Sequence, residues 1–505
     1  MGNIYELIFL PSLFKYNFFL LFFGIFFSLI VWYFSKFFNF QFLFKNYSSS
    51  SFVKLILAST LLASFIIHSL SFWVYIKFFF IHNNSYIFDQ NLFFEPNLFF
   101  YKNVFFSFFS LKFSIEFFGY IFIILAYIVS IISFLCLDSQ FYYKNMRFIF
   151  ICNFLVLVIY LFTITTDFLF FFLLYESLMI PSFLFVYYTS TYKRGIQASL
   201  YFLIWTQLGS FLVLCAISYI ISITGSTSFN ALRYISLTSE EIWFIYFLIF
   251  LGFGFKIPIW PFHYWLTKTH VEAPAGFSIF LSGFLVKSAI YGFYRISNLL
   301  GGSLDTSFFS IFAVMGVLDA SFKMWGQIDL KKLVAYCTIQ EMSLLYLVFI
   351  WGDTLCFIGG VMLCITHALL SPLMFFLVDC IQRRYKSRLV SEISGIIHTT
   401  PNLGIALIIM VVLYSGLPGT IKFVSELYIY AGLMETAPFT CLLLLFGANF
   451  FGLIGFSKCW FNVIFGLSMK NQDKLPVDLN FKEIFIICLC VGLSFVFTSI
   501  FNIII

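Results

Sequence analysis

Residues 250–296 read FLGFGFKIPIWPFHYWLTKTHVEAPAGFSIFLSGFLVKSAIYGFYRI. Two apolar stretches, 242–264 and 274–298, lie on either side of a short polar gap, and each has the roughly 20 residues needed to cross a hydrocarbon core of about 30 Å. Within them stand Lys256, His263 and Lys287, with His270 in the gap between, together with Gly254 and Pro258 in the middle of a run. A charge at bilayer depth costs at least about 2.5–3.5 kcal/mol. A proline there cannot donate to the carbonyl four residues back. Such features are placed in a membrane only where the helix faces protein or a wet cavity.

Similar runs fill the chain. Apolar residues make up 62% of the 505 and charged residues 10%, too little polar surface to clothe a water-soluble protein of this size. The remaining spans fall near 17–37, 53–76, 113–136, 147–166, 168–190, 196–222, 306–323, 333–351, 355–381, 401–434, 438–466 and 483–505. The predicted fold is therefore an all-α polytopic membrane protein of about fourteen transmembrane helices. Residues 77–112 form the longest predicted extramembrane connector. Alternating the spans puts most of the 28 Lys and Arg residues on one side, including Lys193, Lys268, Lys323, Lys331, Arg384 and Arg388, which marks that side as cytoplasm or matrix and places both termini opposite. The cluster from Arg383 to Arg388 reads as a topology anchor.

The eleven cysteines are scattered and make no C-x-x-C pair, and no Walker loop or complete glycine fingerprint occurs. No cofactor or metal ion is expected in this chain, nor a nucleic-acid partner. A cleavable secretory signal is not expected either, since the first apolar run has no small-residue cleavage site. The 79 phenylalanines suggest the codon bias of an AT-rich organelle genome.

Four lysines lie inside the predicted spans: Lys256, Lys287, Lys422 and Lys458. Lys458 is expected to snorkel toward the basic side. Glu176, in FLFFFLLYESLMIPSFLF, needs a partner from another helix, and Lys256 is the candidate. At about 4 Å and an effective dielectric near 20 such a pair gains roughly 4 kcal/mol. Opening it would unload a proton, because burial penalises the charged form of a lysine. A second break, Gly416-Leu417-Pro418-Gly419, precedes Lys422 and Glu426, one helical turn apart. The two breaks fall in the seventh and twelfth spans, an odd offset that suggests inverted repeats with sites at their broken helices. Each residue also has a plainer reading: a static pair for Glu176 and the lysines, interfacial positions for His263 and His270, a simple kink for each proline.

The segment Lys256–Ile296 resembles the motif around the seventh and eighth helices of the antiporter-like chain 4 family of respiratory complex I, the proton-translocating NADH:ubiquinone oxidoreductase. LLYESLMIPS at Glu176, DLKKLVAYCTIQEMSLL at Asp329, THALLSPLMFFL at His367 and GLPGTIKFVSELYI at Glu426 extend the resemblance over residues 110–465. It implies fourteen helices with two inverted five-helix repeats, broken at helices 7 and 12. The domain plan that follows is N-terminal helices and connector over 1–112, a proton-translocating core over 113–465 and a C-terminal helix over 466–505. It further implies Glu176 as carboxylate partner, Lys256 as central pumping lysine, Lys287 as relay lysine, His263, His270 and His367 as relay groups, and Glu426 as terminal acid. Glu341 stands where the family usually has a histidine, which leaves open whether it relays protons or pairs with a nearby lysine. The implied setting is the mitochondrial inner membrane, with neighbouring antiporter-like and other membrane-arm subunits as partners and lipids, cardiolipin among them, between the helices. Redox chemistry would occur in other subunits.

Two rival readings stand beside this one. A subunit of a cation/proton antiporter would use an ion gradient and no redox partner. A structural scaffold would hold the same charges as static pairs, but it leaves two charged helix breaks unaccounted for.

Overall fold

A computed structural model of the protein describes residues 13–14, 16–26, 58–71, 104–108, 111–136, 142–189, 193–235, 237–300, 306–466 and 476–504. Much of the predicted first two spans and most of the 77–112 connector lie outside the described residues. Among the described residues nine helices are long and apolar enough to cross a membrane, and four shorter apolar helices accompany them. The chain is a helical, polytopic membrane protein. Large apolar side chains such as Leu173, Phe211 and Phe439 face outward, as lipid-facing surfaces require.

Contacts divide the chain into two units: residues 1–185 with 227–230, and 186–226 with 231–505. The first contains α1 (Tyr16–Phe26), α2 (Ala58–Ser71), a hairpin of β1 (Val104–Phe108) and β2 (Leu111–Ile115), then α3 (Phe117–Leu135), α4 (Tyr142–Ile164), α5 (Phe168–Ser177) and most of α6 (Met179–Thr189). The hairpin falls at the end of the predicted connector and moves the start of the following helix from residue 113 to Phe117. The Tyr160 hydroxyl donates to the Phe14 carbonyl, and buried His68 packs on Tyr120. Pro181 lacks the N–H that would bond the Ser177 carbonyl, and the helix is interrupted at Leu178, just after Glu176.

The second unit holds α7 (Lys193–Thr224), α8 (Ser239–Lys256), α9 (Tyr264–Glu272), α10 (Ala275–Leu300), α11 (Ser307–Trp325), α12 (Leu330–Trp351), α13 (Thr354–Tyr385), α14 (Pro401–Tyr414), α15 (Ile421–Thr436), α16 (Pro438–Phe465) and α17 (Phe481–Ile504). In α10 and α13 the membrane-length window is fully buried, and in α12 94% of it is, whereas in α7 and α16 only 39% is. The central trio therefore meets protein on all sides. Lipid tails are as apolar as leucine, so close packing holds these helices together rather than exclusion from water. A Cβ on Gly209 of α7 would stand 2.5 Å from the Gly252 carbonyl of α8, so only glycine allows this approach.

Both predicted breaks are present. Between α8 and α9 the Gly254 carbonyl, which Pro258 cannot bond, accepts from Ile259 N–H at 3.2 Å, and the Phe255 carbonyl accepts from Trp265 Nε1 at 2.9 Å. Between α14 and α15 Gly416 and Gly419 take φ of +72° and +95°, a conformation open to glycine, and Thr420 caps α15 through Phe423 N–H. Each broken helix is followed by a helix containing a π-turn: Leu281–Leu285 in α10 and Leu445–Gly452 in α16.

Loops at one face of this unit are tied together. Leu330 N–H donates to the Arg388 carbonyl, Arg388 pairs with Asp329 and also donates to the Val271 carbonyl, and Lys331 Nζ reaches the Ala273 carbonyl. Arg384 pairs with Glu483 of α17, and Asp478 accepts from the N–H groups of Asn402 and Leu403 at the start of α14. These are segments the charge count assigned to the basic side. The Arg383–Arg388 cluster is thus more than a topology anchor, since Arg384 and Arg388 join separate loops. Lys458 is exposed, its ammonium 5.5 Å above the Trp325 ring.

Candidate proton-relay site

Lys287 begins the second half of α10, just past the π-turn. A π-turn leaves carbonyls without their usual α-helical donors, and the Lys287 ammonium takes two of them, Ser282 at 2.8 Å and Gly283 at 3.1 Å. Its third contact is His367 Nδ1 on α13, at 2.7 Å. Three ammonium protons thus meet three acceptors, which is what a fully buried lysine requires. His367 Nε2 is buried and makes no hydrogen bond among the described residues. Pro372 lies one turn beyond, and Ser371 donates to the His367 carbonyl.

Glu341 and Lys422 form the second cluster. Lys422 Nζ donates to Glu341 at 2.8 Å, lies 3.8 Å from Glu426 and sits 3.6 Å above the Tyr414 ring. The expected i,i+4 pair of Lys422 and Glu426 is present, but Glu341 on α12 holds the shorter contact. Asn449, in the π-turn of α16, accepts from Tyr430 and faces the same cavity as Glu426. Glu341, Tyr414, Lys422, Glu426 and Asn449 line a cavity of about 30 Å³. That is room for about two waters, each needing roughly 10–15 Å³.

The clusters stand on helices packed together. α13, which carries His367, packs against α12, which carries Glu341, and against α15, which carries Lys422 and Glu426. His270 is fully buried on α9, stacked 4.6 Å from Phe375, with neither ring nitrogen hydrogen-bonded among the described residues. Lys256 ends α8 and is buried at the first break. His263 caps α9 and contacts Asp319 and Lys323 of α11 rather than any residue anticipated for the axis. Glu176 stands in the first unit and Lys256 in the second.

Sequence reasoning therefore found seven ionisable residues now placed in one unit, and missed Asp319, Tyr414, Gln340 and Asn449 as members of the site. Gln340 accepts from Tyr414 and donates to the Ala448 carbonyl of the second π-turn. Asp319 carried a signal that went unused: a carboxylate one turn before Lys323 inside a predicted span.

Residues 165–452 match the family described as NADH:quinone oxidoreductase/Mrp antiporter, TM. The chain belongs to this family. It is 45% identical over 387 residues to NADH-ubiquinone oxidoreductase chain 4 of Paramecium tetraurelia, covering 76% of this chain and 82% of that one. With the protein of the same name from Chondrus crispus it shares 30% over 393 residues, 76% and 78% of the two chains. Among solved structures it superposes on a chain of respiratory complex I from Thermus thermophilus with TM-score 0.71 and 18% identity, over 88% of this chain and 94% of that one. A chain of the Mrp complex from Dietzia gives TM-score 0.70 and 16% identity over 84% and 78%. At these identities the structural likeness is one of fold, and the curated relatives carry the closer kinship.

Proposed function

We propose that this family member is a proton-translocating subunit in the membrane arm of a respiratory NADH:ubiquinone oxidoreductase, seated in the mitochondrial inner membrane beside other antiporter-like subunits. Lipids, cardiolipin included, fill the gaps between them. The enzyme activity belongs to the assembly; this chain contributes no redox centre, and its part is to move protons when charges shift in its neighbours. The recurrence of a broken helix followed by a π-turned helix supports two inverted five-helix repeats in a core over 113–465.

The observation that carries the reading is the hydrogen-bonded Lys287–His367 pair, with His367 on a helix packed against those of the Glu341–Lys422–Glu426 cluster at the second break. In the proposed sequence, Lys256 releases its proton toward Lys287. Lys287 passes one ammonium proton to His367 Nδ1 while keeping its two carbonyl contacts, and its neutral amine then takes the proton from Lys256. The field then shifts Lys422 between Glu341 and Glu426, so that Glu426 gives or takes the proton at the end of the line. Glu341 serves here as the counter-charge of Lys422 in place of the family's histidine.

NADH-driven proton pumping in vesicles carrying Lys287→Met, with assembly and electron transfer followed in parallel, tests this. An assembled complex whose pumping falls by more than half supports the relay; unchanged pumping removes Lys287 from it. The antiporter reading rests on the shared family and fold. It predicts proton movement driven by a sodium gradient without NADH, which a fluorescent pH probe in the same vesicles would detect.

A further inference from the structure

Asp319 and Lys323 take no part in the line above. They stand one turn apart on α11, with Lys323 Nζ 2.6 Å from Asp319 Oδ2. His263 Nε2 lies 3.2 Å from that same oxygen and 3.1 Å from Lys323 Nζ. One imidazole nitrogen thus faces an acceptor and a donor together. Protonated, it donates to Asp319; deprotonated, it accepts from Lys323. Nε2 is thus partnered in both of its states, so gaining or losing a proton there does not strand that nitrogen. A static ion pair has no need of this arrangement.

The three side chains also form a gradient. His263 is 9% exposed, Asp319 25% and Lys323 40%. Lys323 lies in the last turn of α11, the end from which the chain runs into the tied loops of the basic side. Its ammonium rests 5.9 Å over Tyr336, and Lys268 rests 5.2 Å over Tyr264 at the same end. His263 Nδ1 is buried and makes no hydrogen bond among the described residues.

We propose that Asp319 is a proton-loading carboxylate that connects the basic-side surface with His263, forming an inlet separate from the Lys287–Glu426 line, with Lys323 holding its charge between transfers. This rests on the reading of the chain as a proton translocator. A surface hydronium gives its proton to Asp319 and becomes water; Asp319 passes the proton to His263 Nε2; the imidazolium ring then turns and gives that same proton from Nε2 to the Lys256 amine emptied in the proposed line. One proton enters and one leaves, and the neutral ring, which keeps its Nδ1 proton throughout, turns back to face Asp319 and Lys323.

The test is NADH:ubiquinone turnover of the detergent-solubilised holoenzyme, free of any proton gradient, in Asp319→Asn, Asp319→Glu and Lys256→Met complexes. Asp319→Asn is expected to lose at least about tenfold in turnover and to recover several-fold when millimolar azide is added as a small proton carrier, whereas Asp319→Glu is expected to keep wild-type turnover. A structural pair would give no azide rescue. Asn-variant turnover within twofold of wild type, or a loss that azide leaves unchanged, overturns the inlet. If an uncompensated Lys323 prevents assembly, Asp319→Asn combined with Lys323→Gln removes both charges and is read in the same way. Lys256→Met separates the two readings: full turnover there sinks the proton-translocating function, whereas loss there with an unaffected Asp319→Asn sinks the inlet alone.

Discussion

Lys422 has more company than its sequence neighbours supply. Its ammonium meets Glu341, Glu426 and the face of Tyr414 inside the protein, and the side chains of Lys422 and Glu341 are 7% and 6% exposed. Removing one member of such a buried pair strands the other charge at a cost of about 3–5 kcal/mol, whereas replacing both by neutral groups of similar volume is often close to neutral. Lys422→Met should therefore lower the thermal stability of the assembled complex markedly, and Glu341→Gln added to it should restore most of the loss, as differential scanning fluorimetry would read. Both variants should pump poorly, because stability and relay part company in the double mutant. If the double mutant pumps normally, Lys422 is a structural charge. At this scale the sequence was legible wherever an ionisable residue stood alone in an apolar run. It could not tell that Lys287 and His367, 80 residues apart, touch, since only the packing of α10 on α13 makes them neighbours.

Two kinds of local device make the elements fit. One is the glycine contact between α7 and α8. Gly252→Val would drive its side chain into Val213 and the Gly209 backbone, so it should separate the helices, displace Lys256 four residues on, and reduce both assembled complex and pumping. Blue-native gels and NADH-driven pH measurements would record the two losses. The other is the π-turn at Leu281–Leu285. Deleting Phe284 should remove the extra residue, return the Ser282 and Gly283 carbonyls to the helix ladder, and deprive Lys287 of two of its three acceptors. The flanking faces of α10 keep their register, so the complex should assemble with pumping largely lost; retained pumping would show the π-turn to be dispensable. The proline breaks were readable in advance because proline acts on its own carbonyl four residues back, wherever it sits. The π-turns were not, because one extra residue in a uniformly apolar helix leaves no mark in composition or period. The β1–β2 hairpin was hidden for a similar reason, its residues being as apolar as the spans around it.

The second unit is built around three enclosed helices, with the polar bonds that join its loops gathered on the basic side. Arg384 and Glu483, 10% and 11% exposed, hold α17 to α13, and Asp478 caps α14 from the same segment. Arg384→Leu leaves Glu483 without its cation and should cost about 3 kcal/mol, seen as earlier release of the C-terminal helix in limited proteolysis; an unchanged cleavage pattern would make the bridge incidental. The positive charge bias found this side from sequence because charge counting depends only on alternation of spans. It could not reveal that the same arginines bond loops to one another, or that His263 turns toward Asp319 and Lys323. The central claim is that buried charges in this chain carry protons for redox chemistry performed elsewhere. Its most direct test is the number of protons moved per NADH oxidised in vesicles carrying Lys256→Met, normalised to assembled complex. A ratio well below that of the wild type, with assembly intact, is the predicted result. A wild-type ratio in a fully assembled mutant would contradict the account and leave Lys256 a structural charge.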